Sequence, residues 1–180
     1  MDFIQLREKD LSIHDLEILA CRAVEAICDG RGEKNTRLLI NSRSDVAIAC
    51  RADGVHLRGD DISPTEVREM WKKTKASVSE PIISVSCHCR MEVSRAANEG
   101  ATFAVFAPVF EKPGVSGVNA AGIERLADAC QEKIPVLALG GISLKNAAAC
   151  IQAGAAGVAG IRLFQEDDLE EVVQKLRALG

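Results

Sequence analysis

Aromatic residues are scarce in this chain of 180 residues, 3% in all, and tyrosine is absent. That argues against stacking platforms for single-stranded nucleic acid. No long run of one charge sign occurs among 22 basic and 26 acidic residues. A basic nucleic-acid surface and a polybasic membrane patch are therefore not expected. No apolar stretch approaches the roughly 18 uncharged residues of a membrane span. No signal peptide precedes the first strand, so a cytoplasmic protein is expected.

What the chain does have is apolar residues, 47% of the total. That suits one globular domain over residues 1–180. Seven cysteines are scattered among alanines and valines. They read as reduced core residues rather than a disulfide framework. Cys87-His88-Cys89 is the one cluster. On a strand the two cysteines face away from the histidine, so a metal site there is disfavoured.

Short β-branched runs alternate with amphipathic segments along the whole chain. Strands are expected at Phe3–Arg7, Arg37–Asn41, Gly54–Leu57, Ile82–Ser86, Phe103–Val109, Pro135–Gly140 and Gly157–Arg162. Phe3–Arg7 reads as a buried strand. Leu16, Leu19, Ala20, Ala23, Val24 and Ile27 recur at helical spacing. Ser12 with Asp15, and Ser63-Pro64 with Glu66, are helix-starting capping boxes. Ala52-Asp53-Gly54, Gly100-Ala101-Thr102 and Gly154-Ala155-Ala156 form an internal repeat, each between a helix and the next strand. Such alternation means a parallel α/β sheet. A doubly wound sheet also fits it, but paired quasi-repeats favour a TIM-type (β/α) barrel. Seven strands are expected, not eight.

In a barrel the active site lies at the C-terminal ends of the strands. Gln5, Arg7 and Lys9 share one face at the end of the first strand. Asn41 ends the second, and Asp60 and Asp61 follow the third. His56 lies within a strand and reads as a hydrogen-bonded inner residue, whereas His14 reads as surface. Ser86 and His88 share a face at the end of the fourth, where an acid or base could sit. Gly140-Gly141 reads as a turn before a helix, baring backbone N–H groups that suit a phosphate. Arg162 at the neighbouring strand end supports that assignment.

FIQLREKD, LLINSRSDVAIA, ADGVHLRGDD, SVSCH and ALGGISLKNAAACIQAGAAGVAGI occur in this order across almost the whole chain. In these stretches the sequence resembles the thiamine-phosphate synthase family, which includes the related thiazole tautomerases. The resemblance implies a TIM barrel that joins hydroxymethylpyrimidine pyrophosphate to thiazole phosphate with magnesium. It implies small phosphorylated substrates. The family places one strand and one helix before this segment, so the expectation is a barrel lacking its first βα unit that self-associates through the gap as a homo-oligomer. Gln5, Arg7 and Lys9 match the family's pyrophosphate-binding residues, and Asn41 a substrate-binding asparagine. Asp61 matches a magnesium ligand, and Ser86 a serine near the reacting pyrimidine. Gly141 and Ile161 match backbone groups that hold the thiazole phosphate. His88 matches the proton-transferring histidine of the tautomerases.

Four positions depart from the family pattern. Asn41-Ser42 stands where the synthases have Asn-Asp, and Arg58-Gly59-Asp60-Asp61 where they have Gly-Gln-Glu-Asp. Glu111-Lys112-Pro113-Gly114-Val115 replaces their Pro-Thr-x-Thr-Lys loop, and Arg162 replaces a serine. Synthase is the first expectation. Thiazole tautomerase, or a barrel that binds such ligands without turnover, is the alternative.

Overall fold

The computed structural model describes residues 1–29, 36–74, 80–111, 120–165 and 168–179. Seven strands occur among them, ordered in the sheet as in the chain. They are β1 (Phe3–Leu6), β2 (Arg37–Asn41), β3 (Gly54–Leu57), β4 (Ile82–Cys87), β5 (Phe103–Phe106), β6 (Val136–Ala138) and β7 (Gly157–Val158). Helices α1 (Ile13–Asp29), α2 (Ser44–Ala49), α3 (Pro64–Thr74), α4 (Arg90–Asn98), α5 (Gly122–Ala129) and α6 (Ala147–Gln152) separate them. Helices α7 (Arg162–Gln165) and α8 (Leu169–Arg177) follow β7. No described helix is long and apolar enough to cross a membrane.

The described chain divides into two units, Met1–Ser84 and Val85–Gly180. In the first, β1 pairs parallel to β2 from Phe3↔Arg37 to Leu6↔Ile40, and β2 pairs parallel to β3 from Leu39↔Gly54 to Asn41↔His56. Leu38, Ile40, Val55, Leu57, Val67 and Trp71 are buried. Residues of both faces of β2 and β3 are covered, as in a parallel sheet flanked by helices. Gly54 has a packing reason: a Cβ there would lie 1.8 Å from the Ile82 carbonyl oxygen.

β1 corrects the expectation of a buried strand. Phe3 and Ile4, on opposite faces, are 37% and 38% exposed. It lies at the end of the strand order, so its composition says nothing about what covers it. The α1 stripe is likewise half covered: Leu16 and Ala20 are buried, Leu19 is exposed.

In the second unit β5, β6 and β7 pair in parallel, with Phe106↔Ala138 and Ala138↔Val158 in register. Phe106, Val93, Val109, Leu126 and Val136 are buried. Burial pushes the Cys87 thiol up to about 12, an inert core cysteine. Cys28, by contrast, is exposed.

Both capping boxes form. Asp15 N–H donates to Ser12 Oγ, and Ser12 Oγ donates back to the Asp15 carboxylate. Ser63 and Glu66 bond reciprocally around Pro64. The internal repeat is a helix C-terminal turn used three times. The Ala52, Ala101 and Ala155 N–H groups reach back to the Ala47, Ala96 and Cys150 carbonyls. The residue before each has a left-handed backbone: Arg51 at φ 57°, Gly100 at 82° and Gly154 at 96°. The first copy is therefore Arg51-Ala52-Asp53, one residue earlier than the composition suggested.

Candidate functional site

At the C-terminal ends of β1–β3 a line of hydrogen bonds gathers Gln5, Asn41 and Asp61 of the residues expected there, through Ser42. Gln5 Nε2 donates to Asn41 Oδ1 at 2.9 Å, and Asn41 Nδ2 to Ser42 Oγ at 3.2 Å. Ser42 Oγ donates to Asp61 Oδ2 at 2.7 Å. Each donor points toward the carboxylate, so the line is polarised in one direction. Ser42 reaches it from a left-handed backbone, φ 59°.

Asp61 is held again from its own loop. The Arg58 N–H donates to Asp61 Oδ2 at 2.7 Å, and Arg58 Nη2 to Asp61 Oδ1 at 3.3 Å. Burial pushes this carboxyl up, but the bonds from Arg58 and Ser42 outweigh it and hold the group below its ordinary value. Asp60 remains outside this arrangement, 3.5 Å from Arg58 Nε.

His56 is buried on β3, with Nδ1 2.8 Å from the buried Ser84 Oγ. Burial, then the Arg7 charge, lowers its pKa to about 4, with Asp61 acting the other way. Arg7 and Lys9 follow the end of β1 and are exposed. No described residue pairs with either head group. Lys9 joins no part of the line. His56 is the hydrogen-bonded inner residue expected from its place in the strand, but sequence reading missed the Arg58 contact and Ser84 as the partner of His56. The signal for the second was present: His56 and Ser84 are both polar residues inside β-branched strands.

In the second unit Ser86 is half-buried on β4, and His88 is exposed just beyond it. His88 Nδ1 lies 2.6 Å from the Ala107 carbonyl oxygen. A carbonyl only accepts, so Nδ1 carries the proton and Nε2 is the basic nitrogen of the neutral ring. The His88 N–H bonds Glu92 Oε2 at 2.6 Å.

Gly140 and Gly141 have φ of 97° and 63°. A Cβ on Gly141 would lie 2.6 Å from the Glu111 carbonyl oxygen, so the pair is required by close backbone approach. Their place corrects an expectation: α6 begins at Ala147, not directly after the pair. Asn146 occupies the interval. It accepts from the Ser143 N–H at 2.8 Å and donates to the Gly141 carbonyl at 2.9 Å. Ile161 and Arg162 are exposed, and Arg162 opens α7. Lys112, Pro113, Gly114 and Val115 lie outside the described residues.

A family model described as thiamine monophosphate synthase matches residues 1–164. The chain belongs to this family. It is 40% identical over 179 residues to a putative thiamine-phosphate synthase of Geobacter sulfurreducens, covering 98% of this chain and 79% of that one. A thiamine-phosphate synthase of Roseiflexus sp. is 37% identical, covering 98% of this chain and 72% of that one. The solved thiamine phosphate pyrophosphorylase from Pyrococcus furiosus matches with a TM-score of 0.80 at 24% identity. That match covers 98% of this chain and 81% of the other. The fold is thus of the (β/α) barrel class, with seven parallel strands among the described residues. The family assignment makes the chain a thiamine-phosphate synthase-like transferase of thiamine biosynthesis.

Proposed function

We propose that this chain joins hydroxymethylpyrimidine pyrophosphate to thiazole phosphate, giving thiamine phosphate and pyrophosphate. The observation that carries the residue assignment is the Arg7 guanidinium, unpaired among the described residues. Its charge acts on His56, and it follows β1, whose Gln5 begins the Gln5–Asn41–Ser42–Asp61 line.

The pyrimidine methylene C–O bond breaks, and its electrons leave with the pyrophosphate. The thiazole nitrogen lone pair then forms the C–N bond. What the protein must do is neutralise the leaving group and keep water out. Arg7 and Lys9 take the pyrophosphate oxygens as charged donors. Gln5 fixes the Asn41 amide, which meets the substrate. By the family resemblance, Ser86 takes the place near the reacting pyrimidine, and the backbone of Gly141 and Ile161, with Arg162, that of the thiazole phosphate.

Among the described residues no group of three or more His, Cys, Asp or Glu could hold a metal. Asp61 Oδ2 and Ser42 Oγ, 2.7 Å apart, are both oxygen donors. Magnesium is commonly held by one or two carboxylates plus substrate phosphates. The pair therefore fits a magnesium ion that arrives with pyrophosphate. Held there, it would add positive charge against the leaving group.

Calorimetric titration with pyrophosphate tests the clamp. Arg7→Ala should weaken binding by about 1.5–3 kcal/mol, the scale of a charged hydrogen bond. Equal affinity would remove Arg7 from the site.

Thiazole tautomerase is the second reading, favoured by the Ala107 carbonyl fixing His88 Nε2 as a base. Either enzyme works in the cytoplasm on small phosphorylated substrates, without nucleic acid or membrane. We also place it in a homo-oligomer, on the support of the exposed Phe3, Ile4, Ile18 and Leu19.

A further inference from the structure

Asp61 is already satisfied before any ligand arrives. A carboxylate offers about four lone-pair positions. Three donors occupy them here: the Arg58 N–H and the Ser42 hydroxyl on Oδ2, and the Arg58 guanidinium on Oδ1. Only 12% of the Asp61 side chain is exposed, whereas the Arg58 side chain is 53% exposed. The Asp61 N–H also bonds the Arg58 carbonyl at 3.2 Å, closing the 58–61 turn.

These contacts separate into two kinds. The backbone bonds between residues 58 and 61 need no particular side chain at position 58. The guanidinium is a different matter. It places a full positive charge against Asp61 Oδ1 at 3.3 Å and Asp60 Oδ1 at 3.5 Å. A divalent cation entering alone would meet this guanidinium and a carboxylate already in use. The same cation entering with pyrophosphate meets a surplus of negative charge.

We propose that Arg58 is a built-in counter-cation of Asp61 that keeps divalent metal out of the ligand-free site and yields it only when pyrophosphate is bound. Arg58 thereby sets the order of binding, ligand before or with metal. The inference rests on Asp61 as the metal-holding residue.

Mn²⁺ titration of the ligand-free protein, followed by electron paramagnetic resonance, tests this. Arg58→Gln keeps the backbone turn and removes the charge. It should bind Mn²⁺ about tenfold more tightly than the wild type, the effect of removing one unit charge close to a surface cation site. Arg58→Lys should stay close to the wild type, because the positive charge remains. The gain in Arg58→Gln should vanish in the double variant with Asp61→Asn. Equal Mn²⁺ affinity in Arg58→Gln and the wild type would overturn the role of Arg58. In that case, pyrophosphate-dependent Mn²⁺ binding that is lost in Asp61→Asn would leave Asp61 as the metal residue. A gain that persists in the double variant would overturn both, because the metal would then sit elsewhere.

Discussion

Ser42 donates its hydroxyl to Asp61 Oδ2 at 2.7 Å, joining two loops 19 residues apart in the chain. A neutral hydroxyl thus touches the carboxylate where the family resemblance leads one to expect a second acid. The backbone at Ser42 is left-handed, φ 59°, a region aspartate also visits readily.

Ser42→Asp should therefore be tolerated by the backbone while setting two carboxylates side by side. Their repulsion is relieved by a divalent cation. Pyrophosphate binding should become several-fold more dependent on magnesium than in the wild type. Calorimetry with and without magnesium reads this directly. An unchanged magnesium dependence would show that position 42 does not face the metal.

Arg51 closes α2 with φ 57°, in the turn that Gly100 and Gly154 close for α4 and α6. A left-handed backbone costs an ordinary L-residue roughly 1–2 kcal/mol, and glycine's greater unfolded-state freedom offsets about 0.4–1 kcal/mol of any gain. Arg51→Gly should stabilise the protein by about 0.5–1 kcal/mol on balance. Urea unfolding midpoints measure it, and a destabilised variant would show that the Arg51 side chain contributes more than its backbone costs.

His56 makes stability depend on pH. Burial, reinforced by Arg7 and opposed by Asp61, lowers its pKa from 6.5 to about 4. Between these values the unfolded chain binds a proton that the folded chain does not. Stability therefore rises with pH in this window, being complete above about 6.5 and lost as pH falls to about 4. The contribution is up to about 3 kcal/mol. The fall in stability from pH 7 to pH 4.5 should be larger in the wild type than in His56→Asn. Parallel pH profiles for the two proteins would remove His56 as the cause.

Much of this architecture was legible in the sequence. Apolar runs marked the seven described strands, and Ser12, Asp15, Ser63 and Glu66 marked two helix starts, because these signals are local; the runs expected to reach Val109, Gly140 and Arg162 end instead at Phe106, Ala138 and Val158, and Arg162 opens a helix. The exposure of Phe3 and Ile4 was not legible, since burial depends on what lies beside a strand rather than on its composition. The late start of α6 was hidden because Asn146, with Ser143 and Gly141, makes a turn that composition reads as helix. Within the site, Gln5 bonds Asn41 from the end of β1. The bonds of Ser42 and Arg58 to Asp61 are tertiary pairings, which no periodicity encodes.

His88 separates the two enzyme readings. The Ala107 carbonyl holds the His88 Nδ1 proton and leaves Nε2 as the base. In a synthase, departure of pyrophosphate needs no imidazole, so His88→Asn should lower turnover by less than about tenfold. In a tautomerase the same change should abolish turnover with ligand binding near normal. Steady-state kinetics of the variant decide between them.

The central claim is synthesis of thiamine phosphate. The most direct measurement incubates the wild-type protein with hydroxymethylpyrimidine pyrophosphate, thiazole phosphate and magnesium, and separates the products by chromatography. Thiamine phosphate and pyrophosphate should appear in equal amounts. Their absence, with isomerisation of a thiazole carboxylate phosphate by the same preparation, would contradict the synthase assignment.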